Sequence, residues 1–319
     1  MACVRRAVID VGTNSVKLLV AEVAGHEVWP ICEDSQQTRL GRGFYEMHQL
    51  QPEAIKNTAL AVAQFADDAR RLHTGHLRVI ATSAARDAVN PHELVAAIEN
   101  AAGLKVEIIS GDQEADWAFR GVTTDPALAT RPLLLLDVGG GSTEFILGQG
   151  DQRHFSQSFR LGTVRLLETI PPNDPPTAAN LAATRHWLQE FIETKIRPAL
   201  GPALQREAAL APAAPTELVG TGGATSILAR MEAQLESYDR ERIEATRLSL
   251  DRIRWHTEHL WGLPLARRQE IVGMPRKRAD VMLAGAAIYE SVMASFGFQN
   301  LRVSTRGLRF AAIMAVPNP

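Results

Sequence analysis

Two stretches of this 319-residue chain carry the same pattern, an apolar strand running into Asp-Val-Gly-x-x-Ser and out into a second apolar strand. No other feature limits the fold as much. The first copy spans residues 8–20 and contains Asp10, Gly12, Thr13, Asn14, Ser15 and Lys17; the second spans 133–147 and contains Asp137, Gly139, Gly140, Gly141, Ser142, Thr143 and Glu144. Glycine admits backbone shapes closed to other residues, so each copy predicts a β-hairpin with a wide turn. The N–H groups of such a turn can converge on an anion, and the hydroxyls of Ser142 and Thr143 add donors. Asp137 and Glu144, at opposite mouths of the second turn, can hold a divalent metal that neutralises phosphate oxygens. Lys17 stands where the second copy has Glu144, so one turn is read as carrying metal and the other positive charge. A single glycine turn is usually an ordinary hairpin. Repeated at domain spacing, it argues for two similar domains, each presenting a phosphate turn to a shared cleft.

Length agrees, because 319 residues exceed the usual size of one core. Hydrophobic residues at 45% and charged residues at 22% exclude wholesale disorder. A net charge of −2 supplies no global basic field, which disfavours a nucleic-acid-coating protein and leaves any polyanion to a local Arg and Lys cluster. Cys3 and Cys32 are too few for a disulfide framework and show no zinc pattern, which suits a reducing cytoplasm. Arg5 and Arg6 precede an apolar run that Asp10 interrupts, unlike a signal peptide, and nothing approaches a membrane span.

Along the chain, 4–33 reads as two strands around the first turn and a short third strand. A glycine-punctuated loop with Arg39 and Arg42 follows, able to reach an anion or simply solvated. Residues 51–72 predict a helix from Pro52, with Ile55, Leu60, Val62, Phe65, Ala66 and Ala69 at helical spacing. The strand 77–81 ends in Thr82, Ser83 and Arg86, where open α/β sheets bind ligands. Strand 106–109 leads to a helix whose first turn holds Glu114, read either as a capping and dipole residue or as a general base. Residues 123–132 form the domain boundary. Beyond the second hairpin the pattern predicts a helix at 178–200 and a small-residue linker at 208–215. A third glycine-rich strand end follows, Gly220, Gly222 and Gly223, opening a helix that can face anions. Residues 240–270 read as helical and charged; Trp255, His256, His259 and Trp261 are assigned to a structural interface. Basic Arg276, Lys277 and Arg278 precede a small-residue helix, and a last strand leads to an apolar C-terminal helix.

Together these motifs resemble the exopolyphosphatase and guanosine pentaphosphate phosphohydrolase family, Ppx/GppA. The resemblance rests on Asp10 to Ser15, Arg39 to Gly41, Ala81 to Arg86, Ser110 to Ala115, Asp137 to Glu144, Gly220 to Gly223, Arg278 to Asp280 and Ser304 to Arg309, in that order. It implies two ribonuclease-H-like α/β domains of the actin-like ATPase superfamily with an interdomain cleft: 1–124, with a C-terminal helix at about 306–319 packed back on it, and 125–305. It further implies Glu114 as catalytic carboxylate and Asp137 and Glu144 as the magnesium pair. Phosphate contacts are implied from Asp10, Gly12, Thr13, Asn14, Ser15, Lys17, Arg39, Arg86, Gly139 to Thr143, Gly222 and Gly223. Gln113 departs from the family's frequent paired glutamates, and Phe310-Ala follows Arg309 where Glu-Gly is usual. Lacking a His-Asp dipeptide before Pro319, the chain resembles the short, two-domain form, with weaker processivity or a preference for shorter chains implied.

The expected activity is metal-assisted hydrolysis of a terminal phosphoanhydride of inorganic polyphosphate, in the cytoplasm, with a homodimer allowed and no membrane or sequence-specific nucleic-acid partner. Guanosine pentaphosphate offers the same anhydride end. An ATP-binding kinase or actin-like switch shares the repeated turns, and a polyphosphate or nucleotide sensor would need Glu114 turned away from the site.

Overall fold

The first glycine turn joins β1 (Val4–Val11) to an antiparallel β2 (Ser15–Ala24), and β3 (Glu27–Gln37) extends the meander. Parallel strands β4 (His76–Ala81) and β5 (Val106–Ile108) complete a five-stranded sheet of order β3-β2-β1-β4-β5. The computed structural model describes residues 3–210 and 214–315. Within it the chain divides into two compact units, Met1–Pro126 with Arg306–Pro319, and Ala127–Thr305.

In the first unit the sheet is covered on both faces, which is why β1 and β2 are nearly continuous apolar runs. Successive side chains of a strand point to opposite faces. Thus Ala7, Ile9, Val11, Val16, Leu18 and Val20 join the core under the helix Pro52–Arg71, while Val8, Leu19 and Ala21 join one containing Trp117, Phe310 and Ile313. The helix Pro52–Arg71 buries Ile55, Ala59, Val62, Phe65, Ala66 and Ala69, whereas Leu60 falls off that stripe and is 56% exposed. The C-terminal helix Leu308–Met314 is tied down by Arg6, which donates to the Ile313 and Met314 carbonyls, and by Arg309, which donates to the Leu18 carbonyl and pairs with Glu33 at 3.2 Å.

The second unit repeats the plan. Strands β6 (Leu133–Val138), β7 (Thr143–Gln149), β8 (Gln152–Phe159), β9 (Glu217–Thr221), β10 (Arg247–Ser249) and β11 (Asn300–Val303) form a sheet of order β10-β11-β9-β6-β7-β8. From β8 to β11 the sequence of antiparallel, antiparallel, parallel and parallel pairings matches that from β3 to β5, with β10 added antiparallel at the edge. The architecture is the ribonuclease-H-like α/β fold of the actin-like ATPase superfamily, present twice.

Several boundaries differ from the sequence reading. The strand β3 is eleven residues long, and a short helix, Ser83–Asp87, forms where a loop is expected. The helix beginning at Ala178 passes through one π-helical stretch, Ile192–Ile196, and continues as Arg197–Leu210 with Pro202 inside it. Positions 208–210 of the expected linker are therefore helical, and 211–213 lie outside the described residues, as do 316–319 of the C-terminal segment. The expected helical stretch 240–270 is broken by β10, after which the Ser249 hydroxyl caps the helix Leu250–Trp261 by accepting the Arg252 N–H. Among the described residues no helix is long and apolar enough to cross a membrane.

Glycine substitutions separate close approach from mere flexibility. A Cβ on Gly121 would overlap the backbone of Gly307, and neither can move aside cheaply; a Cβ on Gly201 would meet only Arg197 Cγ at 3.7 Å. Gly121→Ala should therefore lose roughly 1–3 kcal/mol, as overpacking does. Gly201→Ala should gain up to about 1 kcal/mol from helix propensity. Thermal melts of the two variants should move in opposite directions.

Candidate functional site

Both turns close in the same way. The Gly12 N–H donates to the Ser15 carbonyl at 3.0 Å, and the Gly139 N–H donates to the Ser142 carbonyl at 2.9 Å. Registers agree as well: Asp10 lies across from Lys17, and Asp137 across from Glu144.

In the first unit the turn is clamped by the loop after β3. The N–H groups of Thr38 and Arg39 donate to the Asn14 carbonyl, at 3.2 and 3.0 Å, and the Gly41 N–H donates to the Thr13 carbonyl at 2.7 Å. Gly41 has to be glycine, because a Cβ there would overlap Thr13 Cγ2. Arg39 takes a left-handed backbone with φ of 55°, unusual for a side chain of its size. The loop read as reaching an anion or simply solvated is thus also a structural brace for the turn. Gln37 donates to Asn14 Oδ1 at 3.0 Å, which leaves the Asn14 amide nitrogen as the outward donor.

Around this turn, Asp10, Thr13, Asn14, Ser15 and Ser83 are all buried. Asp10 Oδ1, Asn14 Nδ2, Ser15 Oγ and Ser83 Oγ have no hydrogen-bond partner among the described residues. Each such atom costs roughly 1–3 kcal/mol if nothing satisfies it, so a cluster of them marks a place for a ligand. Burial pushes the Asp10 carboxyl above the usual range, opposed by the charges of Lys17 and Arg309.

Glu114 sits in the first turn of the helix Gly111–Val122, but the capping there belongs to Ser110, which accepts the Gln113 N–H at 3.1 Å. The Glu114 carboxylate is buried and receives Arg86 Nη1 at 2.8 Å, while the same nitrogen also donates to the Ile109 carbonyl at 3.1 Å. Arg86 lies in the short helix Ser83–Asp87, at the end of β4.

In the second unit the clamp comes from the segment after β8. The Gly139 carbonyl accepts the Thr163 N–H at 2.9 Å, and the Gly140 carbonyl accepts Val164 at 2.9 Å and Arg165 at 3.1 Å. Arg165 Nε donates to the Gly141 carbonyl at 2.8 Å. A trans peptide points its C=O and the following N–H in opposite directions. The N–H groups of Gly140, Gly141 and Ser142 therefore face away from this clamp, and none donates to an acceptor among the described residues. Three consecutive amides so presented can accommodate an anion. Thr143 differs from expectation. Its hydroxyl is fully buried and donates to the Leu161 carbonyl at 2.5 Å, so it is not a phosphate donor.

Glu144 is buried and accepts the Ser158 hydroxyl at 2.7 Å. A Cβ on Gly222 would overlap Asp137 Oδ1, and φ at Gly222 is 86°, so glycine is required there twice over. Among the described residues no group of three His, Cys, Asp or Glu could hold a metal. Closed sites of the zinc type need such a group, whereas magnesium uses one or two carboxylates and completes its shell with water and phosphate oxygens. The opposed Asp137 and Glu144 fit the second kind.

The sequence reading noted Ser83 at a strand end and Arg278 in a basic cluster but named neither as a site residue, and it gave no role to Ser158, Gly162 or Arg165. A Cβ on Gly162 would overlap Gly140, and one on Gly223 would overlap Arg278 Nη2. Burial lowers the Arg278 pKa, against the pull of Asp280. Glycines 41 and 162 were the available signals. His256 stays structural: buried, it meets Glu232 at 2.7 Å, which Arg252 also grips.

The model of the Ppx/GppA phosphatase family matches residues 19–315. The chain belongs to that family. Exopolyphosphatase 2 of Mycobacterium tuberculosis is 32% identical over 305 residues, covering 92% of this chain and 91% of the relative. The guanosine-5'-triphosphate,3'-diphosphate pyrophosphatase of Vibrio cholerae is 27% identical over 308 residues, covering 95% of this chain and 57% of that protein. The crystal structure of an exopolyphosphatase from Cytophaga hutchinsonii superposes with a TM-score of 0.82 at 26% identity, covering 96% of both chains.

Gly162→Ala tests the three amides in this Ppx/GppA phosphatase. The new methyl group meets the backbone of Gly140 and Gly141, so the amides must shift. Misplacement of about 1 Å can cost roughly 10²-fold in rate. Phosphatase activity should fall by that order while circular dichroism stays unchanged.

Proposed function

We propose that the chain is an exopolyphosphatase, a phosphoanhydride hydrolase that removes the terminal phosphate of inorganic polyphosphate as orthophosphate. The observation that carries this reading is the second turn: three outward N–H groups beside an opposed carboxylate pair, a donor set for phosphate oxygens and a hard cation together. Similarity to an exopolyphosphatase over nearly the full length of both chains supports the substrate class.

Hydrolysis breaks the anhydride P–O bond as water oxygen bonds to the end phosphorus. Glu114 would orient that water and take its proton, with Arg86 holding the carboxylate in place. Within the second unit the N–H groups of Gly140, Gly141 and Ser142 would fix phosphate oxygens; within the first, Asn14, Ser15 and Ser83 would offer their own donors to phosphate. Phosphatases of this family generally use divalent cations. Asp137 and Glu144 would hold that cation, taken to be magnesium, which when bound offsets negative charge on the phosphate. The unpaired thiols of Cys3 and Cys32 suit a reducing cytoplasm.

A second substrate, guanosine pentaphosphate, is favoured by the similarity to the Vibrio cholerae pyrophosphatase. Orthophosphate release from short polyphosphate, long polyphosphate and guanosine pentaphosphate, with and without magnesium, ranks the two. Glu114→Gln retains an oxygen for Arg86 but not the basicity, so turnover should drop about 10²- to 10⁴-fold in a folded protein. Wild-type rates in that variant would reassign the base.

A further inference from the structure

Beneath the second site lies a hydroxyl that the chemistry above does not use. Tyr289, in the helix Met282–Phe296, is completely buried, and burial pushes its hydroxyl well above the usual range, so it remains a proton donor. The nearby Asp137 charge acts in the same direction.

The Tyr289 hydroxyl is hydrogen-bonded to Thr225 Oγ1, which is also fully buried. Thr225 gives its own proton to the Thr221 carbonyl at 2.8 Å. The carbonyls of Leu136 and Thr221 lie 3.4 Å from the Tyr289 oxygen, too long to compete well for its proton. A directed relay results, from Tyr289 through Thr225 to the Thr221 carbonyl. Gly220 makes room for it: a Cβ there would come within 3.0 Å of the Tyr289 oxygen and 2.8 Å of Thr225 Cγ2.

The Thr221 carbonyl belongs to the peptide that ends at the Gly222 nitrogen. With that carbonyl held toward Thr225, the Gly222 N–H must point the other way. Ser226 treats the next peptide likewise, donating to the Gly222 carbonyl at 2.9 Å. Leu136, the other carbonyl near Tyr289, immediately precedes Asp137.

We propose that Tyr289 is a positioning residue: through Thr225 it sets the peptide plane at Thr221–Gly222 and thereby holds Asp137 and the Gly222 amide in register for cation and phosphate. This role rests on the hydrolase reading and extends it to a residue that touches neither substrate nor cation.

Tyr289→Phe keeps the ring and removes the donor. Supporting partners of metal ligands typically matter by roughly 10- to 100-fold in metal affinity or activity. The variant should keep a cooperative melt close to wild type, while its magnesium half-saturation rises and its orthophosphate affinity in magnesium, measured by titration calorimetry, falls by that order. Thr225→Ser, which keeps the hydroxyl, should behave as wild type. Thr225→Val should match Tyr289→Phe, and the double variant should be no worse, because the relay is broken once. Equal magnesium half-saturation and orthophosphate affinity in Tyr289→Phe and wild type would overturn the proposal and leave the hydrolase reading standing. Wild-type protein that binds orthophosphate yet hydrolyses none of the substrates would sink that reading, while the binding comparison still decides the role of Tyr289. Failure of the wild type to bind orthophosphate would overturn both.

Discussion

One hydrogen bond, made twice, governs this molecule: the N–H of the glycine after Asp-Val donates to the carbonyl three residues on. It closes each hairpin so that the aspartate and its cross-strand neighbour face one another. Because each first strand also lies at the middle of its sheet, the parallel strand beside it ends at the same level. Thr82 donates its N–H to the Val11 carbonyl in one unit, and Thr221 pairs with Asp137 in the other. Polar residues that follow those strand ends are delivered to the turn without any further device, as expected of open α/β sheets.

A tight turn does not by itself hold its peptide planes. Each unit supplies a brace, and the two braces are unrelated in sequence. Residues 38–41 grip the Thr13 and Asn14 carbonyls in the first unit, and residues 163–165 grip those of Gly139 to Gly141 in the second. The common result is carbonyls turned inward and donors left over. Leaving buried donors without partners destabilises the fold, and proteins tolerate such conflicts chiefly where a ligand resolves them. The buried Asn14, Ser15 and Ser83 donors fit that description.

The parts legible in the sequence were those with a local pattern. Alternation and apolar runs gave the hairpins, their register and the flanking strands, and Pro52 with the spacing of Ile55, Val62 and Phe65 gave the first long helix. Leu60 misled because composition was read where only position on the stripe matters. Strand β10 escaped because its three residues pair with β11, some fifty positions away, and lack a period of their own. The helix expected to end at residue 200 runs on through Pro202. The braces were invisible for a different reason: they are backbone contacts between distant segments, and backbone groups carry no residue identity. Only their glycines, 41 and 162, leave a trace. Thr143 shows the converse error, since a hydroxyl beside a phosphate turn reads as a donor until its acceptor, Leu161, is known.

The two units are nonetheless not interchangeable, and the difference is electrostatic. Asp10 faces Lys17, so opposite charges meet and the Lys17 charge pulls down the carboxyl that burial raises. Asp137 faces Glu144, and two carboxylates in one cross-strand pair repel unless a cation lies between them. Glu144 is also the more deeply buried of its pair, with the Ser158 hydroxyl bonded to one oxygen. The same turn geometry therefore sets an aspartate against a lysine in one unit and against a glutamate in the other, through a single substitution at the position opposite the aspartate.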